Sequence, residues 1–320
     1  MKILLVSDAH LGFRAYSKVD PTTGLNIREK DVYDAWRRVV NVDLETGPDV
    51  TVIAGDLFDC RRPPAYAISL VEDYLIAINH PVIVVCGNHD NDGFREQSPL
   101  RVLGRFTNVY LFTEPGFATV GGVRFYCVPY AEEGVIFKDA DVLVGHLRDN
   151  RVPEFKSSPI RVSEQKYRLA LLGDLHRPVE VAERVYYGGT IERLDFSQEN
   201  VPCGVYVFDD TTPTYIEFPG RKFVTIAEAP ADISKLEGAV VRCRVKSLAP
   251  WIQEVRKVAL HVTVDAQTET PEQDFEIKPL RGTLLERFRQ YCDSIGAPTE
   301  AVKTAEKALE EALESVHSKG

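Results

Sequence analysis

Pro81-Val82-Ile83-Val84-Val85-Cys86-Gly87-Asn88-His89-Asp90 joins an unbroken apolar run directly to an amide, an imidazole and a carboxylate. A short run rich in Val and Ile, with no polar break, reads as a strand buried on both faces. The glycine that follows lets the backbone turn sharply, so the polar side chains are set at the rim of a sheet. The same arrangement recurs along the chain. Residues 3–7 lead into Asp8-Ala9-His10 and residues 50–54 into Gly55-Asp56. Residues 141–145 lead into His146, and residues 169–172 into Gly173-Asp174-Leu175-His176. Polar groups at the carboxyl ends of neighbouring strands converge in space although they lie far apart in sequence.

Between these runs lie amphipathic stretches. Residues 29–42 carry Val32, Trp36, Val39 and Val40 at helical spacing; residues 65–79 carry Ile68, Val71, Leu75 and Ile78 after Pro63-Pro64. Strands alternating with helices predict a sheet layered between helices. Near Phe218-Pro219-Gly220 the pattern changes. It reads as strand (222–227), strand (239–245), helix (250–255) and strand (258–264), a compact α+β module. A polar stretch over 265–273 reads as a linker. Two tail helices follow, 283–294 and 300–316, broken by Gly296-Ala297-Pro298. The expected division is a main domain over 1–218, a small module over 219–278 and a helical tail over 279–320.

Composition narrows the function. The 320 residues are 44% hydrophobic and 27% charged, which suits a globular protein. No run approaches the roughly 20 apolar residues of a membrane helix, and the apolar start over residues 1–6 is too short for a signal peptide. The expectation is a cytoplasmic protein with no membrane partner. None of the six cysteines forms a C-x-x-C pair, which predicts reduced, mostly buried thiols rather than a cysteine-zinc site. The net charge of −10 argues against nucleic-acid binding by bulk positive charge. It leaves open binding through metals, because two divalent cations would return about four charges at the site itself. Arg14, Arg61, Arg62, Arg95, Arg148 and Arg177 lie close to the acidic clusters and are candidate DNA contacts.

The residue types suit divalent cations. Asp8 and His10, two apart in extended backbone, can reach one cation together. Asp56 has two oxygens and can bridge a pair. The Asn88 amide oxygen is a neutral ligand suited to Mg²⁺, Mn²⁺ or Ca²⁺. His89 is placed to assist a leaving oxygen, and Asp90 is expected to orient His89 and keep it charged. Of the seven histidines, His10, His89, His146 and His176 all fall in these clusters, whereas His80, His261 and His317 do not.

These motifs, in this order, resemble the calcineurin-like metallophosphoesterase superfamily, whose pattern runs D-x-H, G-D, G-N-H-D/E, G-H and G-H-x-H. Ser7-Asp8-Ala9-His10-Leu11-Gly12, Gly55-Asp56-Leu57-Phe58-Asp59, Leu172-Gly173-Asp174-Leu175-His176-Arg177-Pro178 and the stretch from Tyr187 to Phe196 are similar to SbcD-type DNA repair nucleases. The resemblance covers residues 1–200 well, and the module and tail only in general layout. It implies a four-layer αββα sandwich of two mixed β-sheets flanked by helices, with a small α+β capping domain and a C-terminal helical pair. It implies two divalent ions, Mn²⁺ before Mg²⁺. Asp8, His10, Asp56 and His176 would hold the first; Asp56, Asn88, His146 and Asp174 the second. The activity implied is hydrolysis of DNA phosphodiesters at ends, by an exonuclease or endonuclease, with His89 and Asp90 assisting. The implied partners are DNA, an SbcC-type coiled-coil ATPase docked on the tail, and a second copy of the chain in a homodimer. One departure concerns the second ion: the family pattern has His where this chain has Asp174. Two alternatives are a calcineurin-like enzyme acting on nucleotides or phosphoproteins, and a non-catalytic DNA-end-binding scaffold.

Overall fold

A computed structural model describes residues 1–90, 98–246, 249–266, 283–294, 302–306 and 309. The chain divides into two compact units, Met1–Gln267 and Thr268–Gly320.

The first unit is built on two mixed six-stranded sheets. In the first, β1 (Lys2–Val6), β2 (Val50–Ala54), β3 (Val82–Val85) and β4 (Val109–Phe112) run parallel in that order. Two later strands, β11 (Cys203–Asp209) and β12 (Thr212–Phe218), add antiparallel on the β1 side. In the second sheet, β6 (Val123–Val128), β7 (Val142–His146), β8 (Leu169–Gly173) and β10 (Val185–Tyr187) run parallel. The edges are the antiparallel β5 (Gly116–Val120) and β9 (Val179–Ala182).

Alternation along each strand explains why these runs are almost wholly apolar, Thr51 of β2 being the exception and bonded to Asp43. Leu4 and Val6 of β1, and Val82 and Val84 of β3, face one core, which also holds Trp36, Val39, Val71 and Leu75 of helices α1 (Ile27–Thr46) and α2 (Ala65–Ala77). Leu5, Val52, Ile83 and Val85 point the other way, into a second core with Phe125, Val144, Leu171 and Tyr186 of the facing sheet. Each buried Leu, Ile or Val here contributes roughly 1.5–3 kcal/mol. Helix α1 begins where the Asn26 side chain accepts the N–H groups of Arg28 and Glu29, and it ends at Gly47 in the left-handed region.

The fold is thus two mixed sheets flanked by helices, as the sequence implied, with one difference. The outer face of the second sheet is covered by loops and two short 3₁₀ turns, Pro153–Phe155 and Val162–Glu164, which bring Val152, Ile160 and Val162 onto Leu143 and Leu172. Prolines at 153 and 159 break any longer helix between β7 and β8.

The small module is a parallel sheet of β13 (Phe223–Ile226), β14 (Val240–Val245) and β15 (His261–Ala266), packed against α3 (Trp251–Val258) through Val241, Cys243, Ile252 and Val255. Helix α3 extends through Val258, so the last strand begins at His261 rather than at the expected position. The module is fastened to the loop after β1 and to the start of α1. Tyr16 stacks on His261 with ring centroids 4.1 Å apart, and Lys18 Nζ donates to the Ala259 carbonyl at 2.7 Å. Arg221 pairs with Asp31, which also pairs with the fully buried Arg28.

In the second unit, α4 (Leu284–Ser294) is present and residues 302–306 are helical. The expected linker from 267 onward, the break at 296–298 and most of the second tail helix lie outside the described residues.

Candidate metal centre

Asp8, His10, Asp56, Asn88, His146, Asp174 and His176 meet at the carboxyl ends of β1, β2, β3, β7 and β8. The loops after β1 and β2 continue to pair beyond their strands. Asp8 N–H donates to the Gly55 carbonyl at 3.2 Å, His10 N–H to Asp56 at 3.0 Å and Leu11 N–H to Leu57 at 2.9 Å. Within this zipped segment Asp8, His10 and Asp56 each have φ of 48°, and Asp174 has φ of 89°. Non-glycine residues in that region cost of order 1–3 kcal/mol each and persist where the surroundings hold them. Here the strain sits on four of the seven side chains that converge.

Close approach also requires glycine. A Cβ on Gly87 would lie 2.0 Å from Asp56 Oδ1, and one on Gly173 would lie 2.1 Å from the Ala54 carbonyl oxygen.

The donor atoms of these seven residues form two overlapping groups, and a third group, His10, Asp59 and His89, lies at the rim. Asp8, His10 and His176 make one; Asp8, Asp56 and His146 make the other; within each, the ligand atoms lie within 4.8 Å of one another. His10 Nε2 and His176 Nε2 are 3.2 Å apart. Asp56 Oδ2 stands between the groups, 3.8 Å from His10 Nε2 and 3.5 Å from His146 Nε2. His146 Nε2 is also 3.0 Å from Asn88 Oδ1 and 3.6 Å from Asp174 Oδ1.

The supporting contacts of His146 and His10 leave their inward nitrogens for a cation. His146 Nδ1–H donates to the Ala54 carbonyl at 2.9 Å, and His10 Nδ1–H to Asp59 at 3.2 Å. The Gln198 amide lies 2.8 Å from His176 Nδ1 while its Oε1 accepts the Leu194 N–H. Asp8 Oδ2 is buried without a hydrogen-bond partner. Hard carboxylate and amide oxygens mixed with imidazoles, around an orphaned buried oxygen, fit divalent cations.

The protonation balance follows from burial and crowding. Burial pushes the Asp8 carboxyl up to about 6, with Asp56 adding to the effect. Burial acts on Asp56 too, but His146 and His10 outweigh it and hold this carboxyl below its ordinary range. Burial alone would lower the His146 imidazole; the carboxylates of Asp56, Asp8 and Asp174 overcome it and push it up to about 10. Burial lowers His176.

His89 is exposed at the rim. Its N–H donates to Asp56 Oδ1 at 2.8 Å and its Nδ1–H to the Asp59 carbonyl at 2.7 Å; its ring meets His10 edge-on at 4.7 Å. Asp90, expected to orient His89, does not. Its carboxylate turns inward and accepts the N–H groups of Phe58 at 2.9 Å, Gly87 at 3.1 Å and Leu57 at 3.3 Å. Asp90 therefore clamps the Asp56 and Asn88 loops together, and burial, reinforced by Asp56, pushes it up to about 6. Sequence reading missed Asp59 and Gln198. Asp59 was visible three residues after Asp56; Gln198, in a 3₁₀ turn at Phe196–Gln198, carried no local signal.

The arginines differ in their surroundings. Arg14 pairs with Glu29, Arg177 with Glu154 and Arg148 with Asp174. Arg61 and Arg62 are exposed beside Asp59, and Arg95 lies outside the described residues.

A two-sheet sandwich whose strand ends gather donors for two cations is the architecture of metallophosphoesterases. The sequence pattern of the calcineurin-like phosphoesterases matches residues 1–180, and the chain belongs to that family. It is 29% identical to the SbcD component of the nuclease SbcCD from Staphylococcus epidermidis over 255 residues, 65% of this chain and 66% of that one. It is 26% identical to the DNA double-strand break repair protein Mre11 of Aeropyrum pernix, over 68% of this chain and 58% of that one. The chain thus spans 66% and 58% of the length of these two relatives. Among solved structures, TT1561 of Thermus thermophilus aligns with 68% of this chain and 98% of its own, at 13% identity and a TM-score of 0.44.

Proposed function

We propose that this chain is a metal-dependent DNA nuclease that hydrolyses phosphodiester bonds at DNA ends in double-strand-break repair or recombination. The observation that carries the reading is the position of Asp56 Oδ2 between two donor groups, in a chain whose relatives are named as a nuclease component and a break-repair protein. Asp8, His10, Asp56 and His176 would hold one ion, and Asp56, Asn88, His146 and Asp174 a second. Mn²⁺ suits this oxygen-and-imidazole set best, with Mg²⁺ as the alternative. When bound, such ions supply a water-derived nucleophile at neutral pH and offset charge on the phosphate oxygens. His89 holds a proton at Nδ1 against the Asp59 carbonyl, so an imidazolium there has Nε2–H to give to the departing oxygen.

No helix among the described residues is long and apolar enough to cross a membrane. The cytoplasm is the proposed compartment. The small module beside the site would cap it and touch DNA, and the tail would dock a coiled-coil ATPase. The outward faces of α2 and of the turn Pro99–Arg105 expose Tyr66, Ile76 and Val102 and would form a homodimer.

The test is degradation of end-labelled duplex DNA with Mn²⁺, beside a chromogenic phosphodiester. Cleavage of DNA that chelator abolishes supports the reading. Turnover of the small ester alone would move the protein to nucleotide or phosphoprotein substrates. Metal binding without any hydrolysis would favour a scaffold. Truncation before Pro279 should abolish ATPase binding and leave cleavage intact.

A further inference from the structure

Asp174 is the one cation-facing carboxylate with a fixed cationic competitor among the described residues. Arg148 Nε donates to Asp174 Oδ2 at 2.6 Å, and its second terminal nitrogen reaches Oδ1 at 3.4 Å. Oδ1 also faces the donor group, 3.6 Å from His146 Nε2. Asp174 is therefore shared between the interior of the site and its rim. Its side chain is only 6% exposed, whereas that of Arg148 is 39% exposed. The guanidinium is fixed rather than loose: its Cζ lies 5.5 Å from the Tyr130 ring centre and 5.6 Å from that of Phe155. Arg148 thus stands where an anion entering from solvent would meet it.

Carboxylate and phosphate present similar paired oxygens to a guanidinium, so one can replace the other. A guanidinium and a divalent cation, by contrast, compete for the same carboxylate. Building on the two-cation reading above, we propose that Arg148 is a positioning residue that holds Asp174 back from the second cation. It releases Asp174 when it takes the non-bridging oxygens of a phosphodiester. Loading of the second cation is thereby coupled to substrate, and by linkage the substrate binds more tightly once that cation is present. No bond forms or breaks; one ion pair is exchanged for another.

The test is calorimetric titration of Mn²⁺ into the full chain, with and without a non-hydrolysable methylenephosphonate dinucleotide. The proteins are wild type, Arg148→Gln, Asp174→Asn, the double variant and Arg148→Lys, each first checked for an unchanged Tm in chelator. In wild type the second ion should bind at least tenfold more tightly with the dinucleotide present. Arg148→Gln should bind the second ion at least fivefold more tightly than wild type without dinucleotide, and should lose most of the coupling. In the Asp174→Asn background the same change should matter less than twofold, because Arg148 acts through Asp174. Arg148→Lys should return the second ion to within threefold of wild type.

Two bound ions with unchanged or weaker affinity in Arg148→Gln would overturn the proposal alone. So would an equal gain in the Asp174→Asn background, which would mean simple charge repulsion. A single ion in every protein, with or without dinucleotide, would overturn the proposal together with the two-cation reading.

Discussion

The two donor groups share Asp8 but are supported differently. In the group of Asp8, His10 and His176, each ring is backed by a fixed polar neighbour, Asp59 or Gln198, and Asp8 and His10 are wholly buried. In the other group, His146 is backed by a backbone carbonyl of β2, whereas Asp174, which flanks that group, is backed by a half-exposed arginine. The first group is built into zipped loops, although the His176 side chain stays 29% exposed. The other is adjustable from the rim. A site with one permanent and one conditional ion can gate its chemistry without moving its scaffold.

The sharpest way to break this comparison is at Asp56, whose Oδ2 faces both groups. Asp56→Asn removes the oxygen between the groups, so both positions should fail at once. Cleavage should fall by about 10³-fold or more, and Mn²⁺ binding should weaken at both positions. Loss of one ion only, by calorimetry, would place Asp56 in one group and end the symmetric reading. His89→Ala should do the opposite: turnover about 10²-fold lower, with two ions still bound. Loss of an ion in that variant would make His89 a ligand rather than a proton donor.

The third experiment separates the groups through their supports. Among the described residues Gln198 hydrogen-bonds His176 and no residue of the other position, so Gln198→Leu should weaken only the first ion, about 10- to 100-fold. A half-turn of the Gln198 amide, which gives up the Leu194 N–H bond, lets His176 carry its proton on Nδ1 and leaves Nε2 for the ion. Gln198→Glu, which can only accept at that point, should therefore retain the first ion. Weakening of both ions by Gln198→Leu would mean that the groups are one cooperative unit.

Much of this centre is legible in the sequence, and the reasons are local. A polar residue placed after a buried strand and a glycine has little choice but to stand at the sheet rim, so Asp8, Asp56, Asn88, His146 and His176 could be read one at a time. Asp90 could not. Neighbours in a tight turn point apart, so adjacency to His89 suggested a contact, whereas the buried carboxylate serves three backbone N–H groups instead. Gln198 and the Arg148–Asp174 pair were hidden for another reason: each partner lies more than 20 residues away and follows no period. Ladder strands such as Thr212–Phe218 escaped because an exposed edge mixes Pro and polar residues with its few apolar ones.

Acid–base behaviour gives a fourth test, of a few kcal/mol. In chelated protein Asp8 and Asp90 are pushed up to about 6 from an ordinary 3.8, so the folded state binds more protons than the unfolded one across that interval. Stability must then fall as pH rises from about 4 to 6. His146, pushed up to about 10 from 6.5, contributes stability that is present below 6.5 and lost as pH rises through about 10. Asp56, held low, is already fully ionised in this range. The Tm of chelated protein should therefore decline from about pH 5 to pH 9. Saturating Mn²⁺ should reverse the trend, because its ligands bind deprotonated. A chelated protein that gains stability with pH would show that these groups are not buried together.

The smallest effect compares the rims of the two sheets. Arg62, beside the first sheet's loop, is exposed and makes no ion pair among the described residues. Arg177, beside the second, already pairs with Glu154 at 3.0 Å. An arginine that must leave a carboxylate to meet a phosphate gains less from the exchange, and a solvent-exposed pair is itself worth only about 0.2–1 kcal/mol. Arg62→Ala should therefore weaken duplex binding about two- to fivefold and lower the slope of log affinity against log salt by about 1. Arg177→Ala should change both by less, and neither variant should alter Mn²⁺ binding. Equal losses would mean that DNA lies across both rims alike. A larger loss at Arg177 would place the strand path on the second sheet's side, next to Arg148, and would make phosphate delivery to that guanidinium the more direct route.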